Sequence, residues 1–147
     1  MTFTPINAMT GGAVVLLLLP NLIFGRNLPM VSREEPCFLT LMENIGRFGC
    51  MLLMVLPLGV WKFGFRSMEE LLLWLAGSIL ILLAYWLVWP HYQNSAAPPL
   101  ALALTLLPCG LFLLTGLLLR HWLLVLFALL FTAAHVIITA QNCKHNA

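Results

Sequence analysis

Five long runs of apolar residues, separated by short polar breaks, dominate the sequence. The runs cover roughly residues 8–25, 40–61, 71–89, 97–119 and 122–140. Each is close to the length of about 20 residues that a helix needs to cross a bilayer. Backbone groups find no partner in hydrocarbon unless they are helical, and the runs are continuously apolar rather than alternating, which excludes a membrane β-barrel. The pattern predicts an all-α bundle of five transmembrane helices, with residues 1–147 forming a single transmembrane domain.

The polar breaks carry signals that begin and end helices. They lie at residues 26–36, 62–70, 90–99 and 120–121. The second break contains Ser67 followed three residues later by Glu70, a capping-box pattern that should begin the third helix. The last break is only Arg120 and His121, so the fourth and fifth helices are expected to form an antiparallel hairpin.

The composition supports the membrane class. Of 147 residues, 62% are hydrophobic and 8% are charged, against about 45–50% and about 25% in soluble domains. So few charges cannot cover a soluble fold of this size, and the formal net charge of +2 is too small to indicate a nucleic-acid partner. We therefore expect a multi-pass protein of a bacterial-type plasma membrane, with the lipid bilayer as its partner; whether it forms a homo-oligomer stays open.

The basic residues decide the orientation only weakly. Side A is defined as the membrane face that holds the N-terminus, and side B as the opposite face. Three basic residues fall on each side, Arg26, Arg33 and Lys144 on side B and Lys62, Arg66 and Arg120 on side A. Arg47, near the side B end of the second helix, tips the count toward a cytoplasmic side B.

The four cysteines give no local metal or redox motif. None forms a C-x-x-C pair, so neither a zinc site nor a thioredoxin-like centre is predicted, and no cofactor is expected. Cys50 and Cys109 lie inside apolar runs and are expected to pack as small hydrophobes. Cys37 and Cys143 lie in the flanking segments and could face one another, but nothing in the sequence requires a disulfide.

Polar side chains gather on one face of each predicted helix and in one half of the membrane. At about 100° per residue, these faces converge on the side B half, where they predict a cavity that opens to side B, or at least a polar cluster beneath it. Polar groups inside a span are costly and commonly functional. The predicted ligand-binding residues are Asn21, Glu43, Asn44, Arg47, Tyr85, His135, Thr139 and Asn142.

Two of these positions have structural interpretations as well as functional ones. Thr40 and Glu43 fit a capping box that would begin the second helix, and Glu43 is placed four residues before Arg47, the favourable order for a local ion pair. The alternative is that this pair binds a ligand or ion. His135 is either a buried histidine bonded to Thr132, Thr139 or a neighbouring helix, or a group that handles protons or contacts a ligand.

Three short motifs resemble a family of small multi-pass membrane proteins from Gram-positive gut and soil bacteria. They are Pro20-Asn21, the segment from Glu43 to Cys50 and the segment from His135 to Thr139. The resemblance would span nearly the whole chain. Members of this family have no assigned activity, so the resemblance supplies no function. Their first loop tends to be rich in lysine, which implies a cytoplasmic side B.

Three functional hypotheses follow. The leading one is a protein that binds or transports a small molecule or lipid: Glu43 and Arg47 would supply charge, Asn21 and Asn142 hydrogen bonds, and His135 a titratable group. The second is a membrane-embedded enzyme acting on a lipid or isoprenoid, with Glu43 and His135 as acid and base; no nucleophile or metal motif supports it. The third is an accessory subunit whose polar face docks another membrane protein.

Overall fold

The computed structural model describes residues 5–25, 36–56, 58 and 64–145. Within them lie five helices, α1 (Pro5–Phe24), α2 (Cys37–Val55), α3 (Met68–Ser95), α4 (Pro98–Leu118) and α5 (Trp122–His145). All five are long and apolar enough to cross a membrane. The prediction of an all-α bundle of five transmembrane helices is confirmed.

The helices close into a ring. Each makes its main contacts with two neighbours, in the order α1, α2, α5, α4, α3 and back to α1. Successive helices alternate in direction across the membrane, and a ring of five alternating helices must contain one parallel pair. That pair is α1 and α3, joined at their side B ends by the Gln93 side-chain amide, which donates to the Phe24 carbonyl at 3.0 Å. The ring leaves a central space to which every helix contributes one face.

The outer surface of the ring is apolar and suits contact with lipid. Large side chains point outward from all five helices, for example Leu22 (62% exposed), Phe48 (64%), Leu80 (68%), Leu117 (54%) and Leu126 (63%). Polar side chains would be expensive there. The centre combines buried apolar side chains such as Met54 and Leu111 with small and polar residues, and the small residues allow helices to approach closely.

The signals that predicted two helix boundaries are confirmed. The Ser67 hydroxyl accepts from the Glu70 amide at 3.2 Å and caps α3, while the Glu70 carboxylate reaches back to the Arg66 amide at 2.9 Å. The break before α5 is as short as expected. Arg120 adopts a left-handed conformation there (φ 52°), which reverses the chain, and it bonds Glu70 at 2.5 Å.

Three predicted boundaries differ from the structure, namely both ends of the second helix and the end of the third. The second helix begins at Cys37 rather than at residue 40, because Pro36 precedes its first turn with an extended ψ of 119°. It ends at Val55, well before the predicted residue 61; residues 57 and 59–61 lie outside the described residues. The third helix does not end at residue 89. It continues through Pro90 to Ser95, and Ala96 ends it with a left-handed φ of 46°.

The remaining bounds differ from the predicted ones by a turn or less, apart from α5, which extends past residue 140 to His145. Parts of the predicted breaks at 26–36 and 62–70 lie outside the described residues. The same holds for Arg26, Arg33 and Lys62, so the charge count that bears on orientation stays a prediction.

Candidate functional site

A cavity of about 570 Å³ occupies the side B half of the ring. Its size falls within the range of about 300–1,000 Å³ that is typical of small-molecule sites. Every helix lines it, and the residues involved repeat at helical spacing on one face of each. The α4 face runs from Pro98 to Phe112 and the α5 face from Phe131 to Cys143. At 1.5 Å per residue, the α4 face gives the cavity a depth of roughly 20 Å.

The cavity opens toward side B and closes toward the middle of the membrane. Its lining reaches Tyr92, Pro98 and Asn142, near the side B ends of α3, α4 and α5. Below it, Met54 and Leu111 are 0% exposed and fill the ring. The side A half is thus a packed core that separates the cavity from side A.

Hydrogen bonds between helices also hold that core together. The Trp74 indole N–H donates to the Thr115 hydroxyl at 3.0 Å, and Thr115 in turn donates to the Leu111 carbonyl at 2.8 Å. The Thr10 hydroxyl donates to the Met54 carbonyl at 2.5 Å. These bonds tie α3 to α4 and α1 to α2, which holds the side A half closed.

A cluster of charged and aromatic side chains lies in the wall of the cavity. The Glu43 carboxylate accepts a hydrogen bond from Arg47, one turn further along α2. The same carboxylate oxygen lies 2.9 Å from His135 Nδ1 on α5. This second contact does not have the alignment of a well-formed hydrogen bond. Arg47 lies 5.8 Å from the centre of the Phe131 ring, which stacks on His135 at 4.9 Å.

This cluster corrects one interpretation of the sequence. Glu43 lies inside α2, two turns beyond its first residue Cys37, so Thr40 and Glu43 do not form a capping box at the helix start. The alternative local interpretation, the ion pair with Arg47, is confirmed. The partner of His135 is on the neighbouring helix, as the buried-histidine interpretation allowed, but it is a carboxylate rather than Thr132 or Thr139.

Close packing of α2 on α5 makes the cluster possible. Gly46 lies between Glu43 and Arg47 in sequence, and a Cβ built on it would lie 2.8 Å from the backbone N and Cα of Phe131. A residue with a side chain would therefore hold α5 away. Glycine at this point brings His135, one turn beyond Phe131, within reach of the Glu43 carboxylate.

Hydrogen bonds between helices fix the other polar residues of the cavity. The Tyr85 hydroxyl donates to the Asn21 side-chain oxygen at 3.0 Å, which joins α3 to α1. The Thr105 and Thr139 hydroxyls lie 2.8 Å apart and join α4 to α5. Each of these four residues lines the cavity.

The structure brings most of the predicted site residues together. Six of the eight line the cavity, namely Asn21, Arg47, Tyr85, His135, Thr139 and Asn142. Glu43 is 11% exposed and lies behind Arg47 and His135. Asn44 does not line the cavity. Whether any of them binds a ligand stays a prediction.

Sequence reasoning left Trp89 and Tyr92 of α3 and Phe131 of α5 out of the site. Trp89 and Tyr92 line the cavity together with Tyr85. The Phe131 ring contacts both Arg47 and His135. The signal was available: positions 85, 89 and 92 repeat at the spacing of one helix face.

The cysteines and acidic residues show how little metal-binding capacity the described part of the chain has. Among its residues, no group of three or more His, Cys, Asp or Glu side chains is placed to hold a metal ion. Cys143 lines the cavity, Cys37 is exposed, and both are free thiols; Cys50 and Cys109 are buried.

Comparison with known proteins does not extend this description. No family model, no curated protein and no solved structure matches the chain. The resemblance to small membrane proteins of Gram-positive bacteria therefore stays a prediction, and the function has to be argued from the site.

Proposed function

We propose that this protein binds a small molecule within the membrane, in the cavity formed by its five helices, and that the molecule enters from side B. Binding of this kind is the whole activity of a receptor and the first step of a transporter. We further propose a bacterial-type plasma membrane as its location, with side B facing the cytoplasm, on the basis of Arg47 and the resemblance described above.

The observation that carries this proposal is the polar cavity itself. Polar side chains from different helices border the same space, and Arg47 keeps hydrogen-bond donors that no described residue accepts. In a purely structural bundle such groups would be expected to satisfy one another, because unpaired polar groups are costly in a low-dielectric interior. A roomy cavity lined by a few polar groups among aromatic walls is the usual form of a small-molecule site.

The test is to block the cavity with a large side chain and to measure which small molecules stay bound to the purified protein. Ala101 is half-buried in the wall of the cavity, so Ala101→Trp would place an indole inside it. Ala133 is an exposed residue of α5 outside the cavity, so Ala133→Trp adds the same group toward lipid and serves as the matched control. Both variants and the wild type are purified in lipid nanodiscs, and their small-molecule content is measured by mass spectrometry.

We expect a small molecule to accompany the wild type and Ala133→Trp, and to be absent from Ala101→Trp. The proposal is rejected if the two folded variants retain the same small molecules in the same amounts. The same preparation addresses the second hypothesis, an enzyme acting on a lipid or isoprenoid, because incubation with lipid extract would then change the mass of a lipid. A stoichiometric protein partner in the wild-type preparation would instead favour the accessory subunit.

A further inference from the structure

We propose that the molecule bound in the cavity is an amphipathic organic anion, whose carboxylate or phosphate group is held by Arg47 and His135 while its apolar body lies against the aromatic walls. This inference rests on the proposed function and specifies the chemical class of the ligand.

The charged side chains around the cavity are arranged to favour an anion. Among the described residues that line the cavity are Arg47 and His135 but no aspartate or glutamate. The acid that balances them, Glu43, has a side chain only 11% exposed, whereas that of Arg47 is 36% exposed and that of His135 is 24% exposed. The Arg47 guanidinium therefore faces the cavity and the Glu43 carboxylate faces the protein, an arrangement that favours an anion over a cation.

Arg47 has hydrogen-bond donors that the described residues leave unused. Its guanidinium group carries five N–H donors in a planar fork that matches a carboxylate or phosphate. Among the described residues it donates one hydrogen bond, to Glu43, and contacts the Phe131 ring. Most of its donors therefore have no protein partner, although the side chain borders an enclosed space. An anion in the cavity would supply the missing acceptors through charge-assisted hydrogen bonds.

A buried hydrogen-bond donor on α3 also favours a ligand that accepts hydrogen bonds. Trp89 on α3 is 6% exposed and lines the cavity, and its indole N–H makes no well-aligned hydrogen bond to a described residue, although the Tyr85 hydroxyl is close enough to interact with it. An indole nitrogen can only donate, and leaving a buried donor unpaired costs about 1–3 kcal/mol. A ligand that accepts a hydrogen bond would remove this cost, whereas one that only donates would not.

The walls indicate what the rest of the ligand is. Trp89 packs edge-on against Tyr92 at 6.3 Å, and these two rings face the α4 wall of Ala101 and Leu104 across the upper part of the cavity. Such surfaces favour a flat or aliphatic body rather than a fully hydrated inorganic ion. The combination of an anionic group at depth and an apolar body above it defines an amphipathic anion.

The experiment compares three probes that share a skeleton and differ in charge: phenylbutyrate, phenylbutanol and phenylbutylamine. Ala101→Cys in a Cys37→Ser, Cys143→Ser background places a thiol in the cavity wall, while Cys50 and Cys109 stay buried. The protein is held in nanodiscs, and the rate at which N-ethylmaleimide modifies the new thiol is measured at increasing probe concentrations. The background without Ala101→Cys gives the blank.

We expect the carboxylate to protect the thiol at a concentration about tenfold lower than the alcohol or the amine, since charge-assisted hydrogen bonds strengthen binding by roughly that factor. Arg47→Lys should retain part of this preference and Arg47→Gln should abolish it. Because Arg47→Gln strands the Glu43 carboxylate, the doubly neutral variant Glu43→Gln, Arg47→Gln is tested as well and should also lack the preference.

Several outcomes would overturn the inference. Equal or better protection by the alcohol or the amine, a carboxylate preference that survives in the doubly neutral variant, or no protection by any probe would each do so. The first of these leaves the proposed function intact, because a molecule still binds in the cavity. Failure of the proposed function would show elsewhere, as identical small-molecule content in Ala101→Trp and Ala133→Trp.

Discussion

Replacement of Gly46 by alanine is expected to loosen the bundle where α2 meets α5. The added methyl group would lie 2.8 Å from the backbone N and Cα of Phe131 and 2.7 Å from its Cβ. Carbon atoms attract one another at about 3.5–4.0 Å, so α5 would have to retreat by roughly 0.7 Å. Backbone atoms cannot rotate away as a flexible side chain can, and the movement has to be made by the helix.

The size of the effect follows from two opposing contributions. Forcing an extra methyl group into a packed interior costs about 1–3 kcal/mol, and a contact with backbone should lie near the upper end. Alanine in place of glycine favours the helix by about 1 kcal/mol. The expected net loss for Gly46→Ala is therefore about 1–2 kcal/mol. Gly12 in α1 has nothing within 4 Å of a built Cβ, so Gly12→Ala should gain about 1 kcal/mol.

The assay is reversible unfolding of both variants and the wild type in the same detergent or lipid. Gly46→Ala should unfold more readily than the wild type, and Gly12→Ala less readily, with a gap of about 2–3 kcal/mol between the variants. The packing described between α2 and α5 would be wrong if Gly46→Ala proved as stable as Gly12→Ala. A similar destabilisation of both would instead indicate that α1 is more crowded than the structure shows.

Three further predictions concern charge, pH and access. Glu43→Gln should lower the free energy of unfolding by about 1–3 kcal/mol, because Arg47 loses a charged partner. If the protein couples transport to protons, the folded variant should also lose uptake of the transported molecule into proteoliposomes. Burial lowers the pKa of His121, in the break between α4 and α5, below its usual value of 6.5. As the pH falls, the unfolded chain therefore takes up the proton first, so the stability due to this group is present above pH 6.5 and falls as the pH is lowered through that value. His121→Gln should flatten the pH dependence of the unfolding temperature measured between about pH 5 and 8. Cys37 and Cys143 should react with impermeant thiol reagents from the same side of the membrane, and labelling from opposite sides would contradict the topology.

The helix count and the polar faces could be predicted from the sequence because both follow from local pattern. Runs of about 20 apolar residues can only be helices in lipid. Positions three or four apart then share a face, which is why Arg47, His135 and Thr139 were assigned to the interior side of their helices. The ion pair from Glu43 to Arg47 is equally local, since it needs only the rise and turn of one helix.

The boundaries that failed depended on how proline acts in its surroundings. Pro36 was taken as part of a loop, yet it stands directly before α2, a place that its fixed φ suits. Pro90 was taken as a break. In a membrane, the alternative to continuing a helix is to expose several unpaired backbone groups, so α3 continues through one proline and ends at Ala96 instead.

The neighbours of each helix could not be predicted at all. Nothing in the chain states that α5 lies between α2 and α4, so the contact between Glu43 and His135 was beyond reach although both residues had been selected. The lack of a well-aligned hydrogen bond at the Trp89 indole N–H likewise depends on how the five helices pack together. These features arise from packing between distant segments, and they are the ones on which the functional proposals depend.

The most direct measurement is an experimental structure of the full chain in lipid nanodiscs, at a resolution that shows side chains and bound molecules. It should show Arg47, Tyr85 and His135 facing one space in the side B half, with non-protein density beside Arg47. Side chains that point instead into the lipid, or a side B half packed solid between the helices, would contradict the existence of a shared binding site.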